Sequence, residues 1–283
     1  MHTVDIDCSF AYQVHKNSEF VFHLQAAHHS WQAILKEALT LSPHIRQVET
    51  YEDELGLNRL FRFSAPEGEL EVRYQATVQV ELPKRDHGLQ EMDVAALPAS
   101  VLHYLLPSRY CESDLLSAMA QRTFGDTPRG FGRVETVCDW IHDNISYEVG
   151  SSQPATTARD VLANRAGVCR DFAHLGITLC RALNIPARFV FGYLEFPEPP
   201  PDFHALFEVY IGGQWVLFDA TRMAPIDKIV RIGTGTDAKD VAFATIYGDV
   251  SMQYMKPLVC DHVAGRVPQF SHQDAYIGLD SGS

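Results

Sequence analysis

The sequence predicts an α+β fold in which an N-terminal antiparallel β-sandwich over residues 1–95 precedes a mixed helix-and-strand domain over 96–283. Three observations predict it: strand-like alternation early in the chain, helical spacing in the middle, and a strand–turn–strand signature beyond it. Between Val4 and about Leu82, short runs rich in aromatic and β-branched residues, such as 19–24 and 70–80, are separated by the turn-forming clusters Lys16-Asn17-Ser18 and Ala65-Pro66-Glu67-Gly68. The run LEVRYQATVQVEL alternates apolar with polar residues, as a strand with one wet face should.

Helical spacing of apolar residues then takes over at 98–105, 113–124 and 131–145, with Ser113 or Asp114 suited to cap the second of these. Thr157 is placed to cap a short helix through Ala163, which Asn164-Arg165-Ala166-Gly167 breaks. In GVCRDFAHLGITLCRALNIPAR, residues Phe172, Leu175, Leu179 and Leu183 form a helical stripe. Gly167 precedes that helix and Pro186 follows it, so Cys169 falls in its first turn. Strands follow at 187–194, 205–211 and 214–219, separated by the four-proline loop 196–202 and by Gly212-Gly213. The tail 280–283 reads as loose.

Charge and composition exclude several classes. Lys plus Arg number 23 against 36 Asp plus Glu, a formal charge of -13, which repels polyphosphate, so no nucleic-acid partner is expected. The start MHTVDIDCSF lacks a signal-peptide pattern, and no stretch approaches the roughly 20 apolar residues that span a bilayer. No membrane association and a cytoplasmic location are therefore expected. The six cysteines are scattered without a CxxC pair and read as free thiols, five of them as buried apolar residues. His28-His29, with His23 nearby, lack a carboxylate or thiol at ligand spacing, so neither metal nor cofactor is expected.

A nucleophilic cysteine needs its thiolate, and the first turn of a helix offers partial positive charge and unpaired N–H groups to that anion and to an oxyanion beside it. Cys169 has this setting. It also needs a base, and the base an orienting acceptor. With Gly212-Gly213 as a two-residue turn, Ile211 pairs with Gln214 and Leu206 with Asp219, making His204 and Asp219 diagonal neighbours. The opposite face then carries Phe207, Val209 and Ile211 against Val216, Phe218 and Ala220, all apolar. A one-residue slip would mix the faces. Asp171 and Glu208 are further acidic candidates that need no catalytic role, and Cys180 lies three turns from Cys169, too far to resolve it.

Three separated motifs carry a resemblance to the transglutaminase-like superfamily, in particular its bacterial branch with a β-rich N-terminal domain, a branch treated as putative cysteine proteases. They are Gly167-Val168-Cys169 with Asp171-Phe172-Ala173; His204-Ala205 with Glu208-Val209-Tyr210; and Gly213 to Trp215 leading to Phe218-Asp219 and Thr221. Trp140-Ile141-His142 through Tyr147 and the segment 240–248 are also similar. The resemblance implies a papain-like transglutaminase core with Cys169 as nucleophile, His204 as acid and base, and Asp219 fixing the imidazole tautomer. Trp140 or Tyr147 is implied as a possible second oxyanion donor. Two departures, Leu206 in place of the usual Trp and Ala220 in place of the usual Pro, are expected to bear on the substrate surface.

The function expected is hydrolysis of a peptide or amide bond through a thioester, with a protein or peptide as substrate. Transfer of the acyl group to an amine, or a non-catalytic binding module of the same fold, are the alternatives. Oligomeric state is left open by the sequence.

Overall fold

The structure, a computed structural model, describes residues 1–84, 86–195 and 202–262. Residues 196–201 of the proline-rich loop and the tail 280–283 lie outside them. The first part contains β1 (His2–Val14), β2 (Ser18–Phe22), β3 (Gln32–Ser42), β4 (Glu49–Glu52), β5 (Arg59–Ala65) and β6 (Gly68–Val80). In β6 the predicted alternation is literal: Leu70, Val72, Tyr74, Ala76, Val78 and Val80 are all buried while the residues between them are not. β1 pairs with β6 along its whole length, β3 covers the far edge of β6, and β5 lies between β2 and β4. The two sheets meet through aromatic rings, with Tyr12 5.6 Å from Phe20 and Phe10 6.0 Å from Phe22.

The second part begins with a 3-10 helix at Ala99–Leu105. Pro107 holds Leu106 extended (ψ 151°) and stops this apolar stretch from continuing as an α-helix. The elements that follow are α1 (Ser113–Phe124), α2 (Phe131–Asn144), β7 (Ser146–Tyr147), α3 (Ala158–Asn164), β8 (Ala166–Gly167), α4 (Cys169–Ala182), β9 (Ala187–Leu194), β10 (Asp202–Ile211), β11 (Gln214–Phe218) and β12 (Val230–Gly235). Asp160 accepts the Thr157 N–H at 2.9 Å, closing the predicted start of α3. The core sheet runs β11-β10-β9-β12, and α4 packs on β10 and β9 with α1, α2 and α3 around it.

The last described strands, β13 (Ala244–Tyr247) and β14 (Val250–Asp261), return to the first part, β13 pairing with β2 and β14 with β1. The sandwich is thus completed by residues that a division at 95/96 assigns to the second domain. The physical reason is edge protection: β14 satisfies the β1 edge that β6 leaves open. One apolar interior runs through both parts. Phe203 of β10 stacks 6.3 Å from Phe10, and the Tyr193 hydroxyl donates to the Leu24 carbonyl at 2.8 Å. Among the described residues no helix is long and apolar enough to cross a membrane.

Candidate active site

Helix α4 is set at its start by local hydrogen bonding. The Asp171 carboxylate, wholly buried, accepts the Val168 N–H at 2.9 Å, an arrangement that fixes the turn leading into Cys169. Gly167 leaves room for it, since a Cβ there would come within 2.8 Å of Asp171 Cβ. Parallel pairing of Tyr147 with Gly167, and the Glu148 N–H bonded to the Gly167 carbonyl at 3.0 Å, hold the same segment from the other side. From Asp171 to Ala182 every residue of α4 is buried, whereas Cys169 is half-buried. Its N–H stands at the first helical position, where no acceptor exists within the helix.

Strands β10 and β11 supply the other two groups. Gly212 and Gly213 have φ of 58° and 81°, the pair of positive values a type I′ turn requires, and Ile211 pairs with Gln214 and Phe207 with Phe218 in the predicted register. Phe207 lies so close to α4 that a Cβ on Gly176 would sit 2.5 Å from its ring, so this glycine allows the helix and the strand to approach.

His204 Nε2 is 2.9 Å from Asp219 Oδ2, with both side chains buried (0% and 5% exposed). Asp219 Oδ1 accepts the Thr221 N–H and the Thr221 hydroxyl, each at 2.8 Å, so the carboxylate is held from both sides. Cys169 is close enough to the His204 ring to act on its charge. With Nε2 taken by the carboxylate, Nδ1 is the nitrogen available to the sulfur. Burial by itself would lower the His204 pKa, but the hydrogen bond to Asp219 and the influence of Asp219 and Cys169 as negative groups outweigh it and raise the value to about 10. The structure therefore sets the half-buried Cys169 beside the hydrogen-bonded pair His204 and Asp219.

The remaining candidates have other partners. Glu208 is wholly buried between Arg188, whose Nε donates to it at 2.8 Å, and Arg231. Burial would raise its pKa, but the two guanidinium charges bring it down to about 2. Cys111, Cys138 and Cys180 are buried, and burial raises their thiol pKa values. His28 bonds Glu52 at 2.6 Å on the surface while His23 is buried, and no cluster of three or more potential ligands among the described residues could hold a metal.

The ring of Tyr147 lies 5.8 Å from Phe172, and that of Trp140 packs on Phe124 at 6.0 Å and under the Arg165 guanidinium. Leu206 and Ala220 correct an expectation: they are 1% and 2% exposed, Leu206 packing in the small cluster with Val190 and Leu217 rather than at the substrate surface. Thr221 was visible in the sequence only as a matching position. Its hold on Asp219 follows the i to i+2 habit by which an Asp side chain accepts a nearby backbone N–H.

A cysteine opening a buried helix, laid against an antiparallel sheet that carries histidine and aspartate, is the papain-like α+β arrangement of a transglutaminase core. The chain belongs to the transglutaminase-like superfamily: residues 117–220 match the model of that superfamily, and residues 3–100 match the bacterial transglutaminase N-terminal domain. A putative cysteine protease from Cytophaga hutchinsonii, known from its crystal structure, is 38% identical with a TM-score of 0.85, covering 97% of this chain and 95% of that one. An uncharacterized protein of Mycobacterium leprae is 32% identical over 114 residues, and one of Mycobacterium tuberculosis H37Rv is 34% identical over 116. Each match covers 36% of this chain, and spans 39% and 37% of the respective mycobacterial proteins.

Proposed function

We propose that this protein is a thiol-dependent acyl-transfer enzyme that hydrolyses a peptide or carboxamide bond in a protein or peptide substrate. The observation that carries the reading is the half-buried Cys169 at the start of α4 beside the buried pair His204 and Asp219, which Thr221 closes. The Cys169 thiolate adds to the carbonyl carbon, and the resulting oxyanion takes N–H donors at the start of α4. As the C–N bond breaks, protonated His204 gives its proton to the departing amine, leaving a thioester on Cys169. Neutral His204 then takes a proton from water as the water oxygen adds to the thioester. The C–S bond breaks, and the carboxylic acid leaves. Asp219 keeps the imidazole in one tautomer and stabilises its cation, while Thr221 keeps Asp219 in place.

Mass spectrometry of a peptide and protein library, incubated with and without a primary amine, tests this. Cleaved or deamidated products that vanish with Cys169→Ala are expected. Amine adducts in place of hydrolysis would make the enzyme a transglutaminase, and no product of any kind would make the fold a binding module.

A further inference from the structure

The segment that follows β7 forms an arch whose two feet stand on either side of the nucleophile. The first foot continues the parallel pairing of β7 with β8, the Glu148 N–H donating to the Gly167 carbonyl at 3.0 Å. The second foot rests on Arg170, whose Nη2 donates to the Ser152 hydroxyl and to the Gln153 carbonyl, each at 2.8 Å. Gly167 lies two residues before Cys169 and Arg170 one after it, so the chain between the feet runs alongside the residue that carries the sulfur. Between the feet the Ser151 N–H closes a turn on the Glu148 carbonyl at 3.2 Å. Gly150 takes the third position of that turn with a φ of 88°, where such a turn needs glycine. Ser152 is buried, whereas Val149 is 74% exposed.

The arch thus leaves an apolar side chain in water at the side of a half-buried thiol. Arg170 Nε also lies 3.6 Å from Asp171 Oδ1, so one guanidinium ties the arch to the carboxylate that fixes the start of α4. An exposed valine gains by being covered, and the group that comes to stand over Cys169 in the proposed reaction is the acyl part of the substrate, which stays on the sulfur as a thioester. We propose that Val149 is a specificity contact for an apolar side chain on that acyl part, and that Arg170 is the positioning residue that holds it there. This rests on the reading of Cys169 as nucleophile and adds a substrate preference to it.

Alkylation of the full chain tests the contact without turnover, because the tail of the reagent ends where the acyl group would. Iodoacetamide and N-benzyl iodoacetamide both lose iodide to a thiolate and differ in the apolar tail. The rate of the benzyl reagent relative to iodoacetamide is expected to be about fivefold higher at Cys169 than at Cys260, the other half-buried thiol, the scale of covering part of one valine side chain. Val149→Ser should remove that advantage and leave the iodoacetamide rate unchanged; the position is exposed, so the fold should tolerate it. Arg170→Gln should also remove it. Ser152→Ala, which deletes one bond to the arch and leaves the Asp171 pair intact, should lower it by less. Leu55→Ser, at a side chain 76% exposed in the β4–β5 connection, should change nothing. No advantage at Cys169, one that survives Val149→Ser, or one lost equally with Leu55→Ser would overturn the contact. An advantage that survives both Arg170→Gln and Ser152→Ala would overturn the role of Arg170. Wild-type turnover separates the two readings. Cleavage with no apolar residue preferred before the attacked carbonyl removes the contact and keeps the reaction, while the benzyl advantage with no product removes the reaction and keeps the contact.

Discussion

Strand β10 carries two buried charge networks about four residues apart, one at His204 and one at Glu208, and they are built to opposite ends. Glu208 is closed off between Arg188 and Arg231, with the Arg188 guanidinium 4.0 Å from the Trp215 ring. Its charge is fixed and touches nothing that reacts. His204 is as deeply buried but has Cys169 and the Asp219 carboxylate for partners, and Cys169 is only half-buried. Burial with full ionic pairing gives a static strut. Burial with a titratable pair and one open end gives a group able to move a proton.

Substitutions should separate these two ends. Cys169→Ala should reduce kcat by at least about 10⁴-fold, the scale on which a nucleophile is lost, while stability stays within about 2 kcal/mol. Steady-state assays with thermal melts check both. Asp219→Asn should lower kcat by about 10³- to 10⁴-fold through the wrong imidazole tautomer, with the fold kept. Full specific activity in the folded fraction would reassign Asp219 to the scaffold and erase the contrast.

Glu208→Gln should do the reverse, costing about 3–5 kcal/mol because two buried guanidinium groups lose their counter-charge. Denaturant titration reads that loss, and the molecules that remain folded should turn over normally. Gly176→Ala, which drives a methyl into the Phe207 ring, should cost about 1–3 kcal/mol and reduce kcat by displacing α4 from β10. Urea melts and initial rates follow the two effects together.

The two networks also differ in pH dependence, with opposite signs. The raised His204 pKa gives stability that is complete below about 6.5 and lost as pH climbs to about 10. The lowered Glu208 pKa gives stability that is complete above about 4.5 and lost as pH falls to about 2. Melting temperature against pH should therefore decline at both extremes, with His204→Gln flattening the alkaline limb alone.

Much of the transglutaminase-like core is legible in the sequence because its determinants are local. A glycine pair sets the β10–β11 register, and Gly167 and Pro186 bound α4. What the sequence hid depends on distant partners. The pairing of β14 with β1 joins Val4 to Asp261, and alternation says nothing about which edge a strand will find. The ionic lock on Glu208 was not legible because Arg188 and Arg231 reach it from β9 and β12. Leu206 looked like a surface departure because a burial pattern cannot show that Met223, Ala224 and Ile226 pack against its cluster.

The central claim is that His204, steadied by Asp219, activates the one thiol it can reach. Peptide-resolved alkylation of the six cysteines by iodoacetamide near pH 7, compared between wild type and His204→Ala, tests it most directly. The account predicts that Cys169 reacts first in the wild type and loses that lead in the variant. Faster labelling at Cys8 or Cys260, or a Cys169 rate that the variant leaves unchanged, would contradict it.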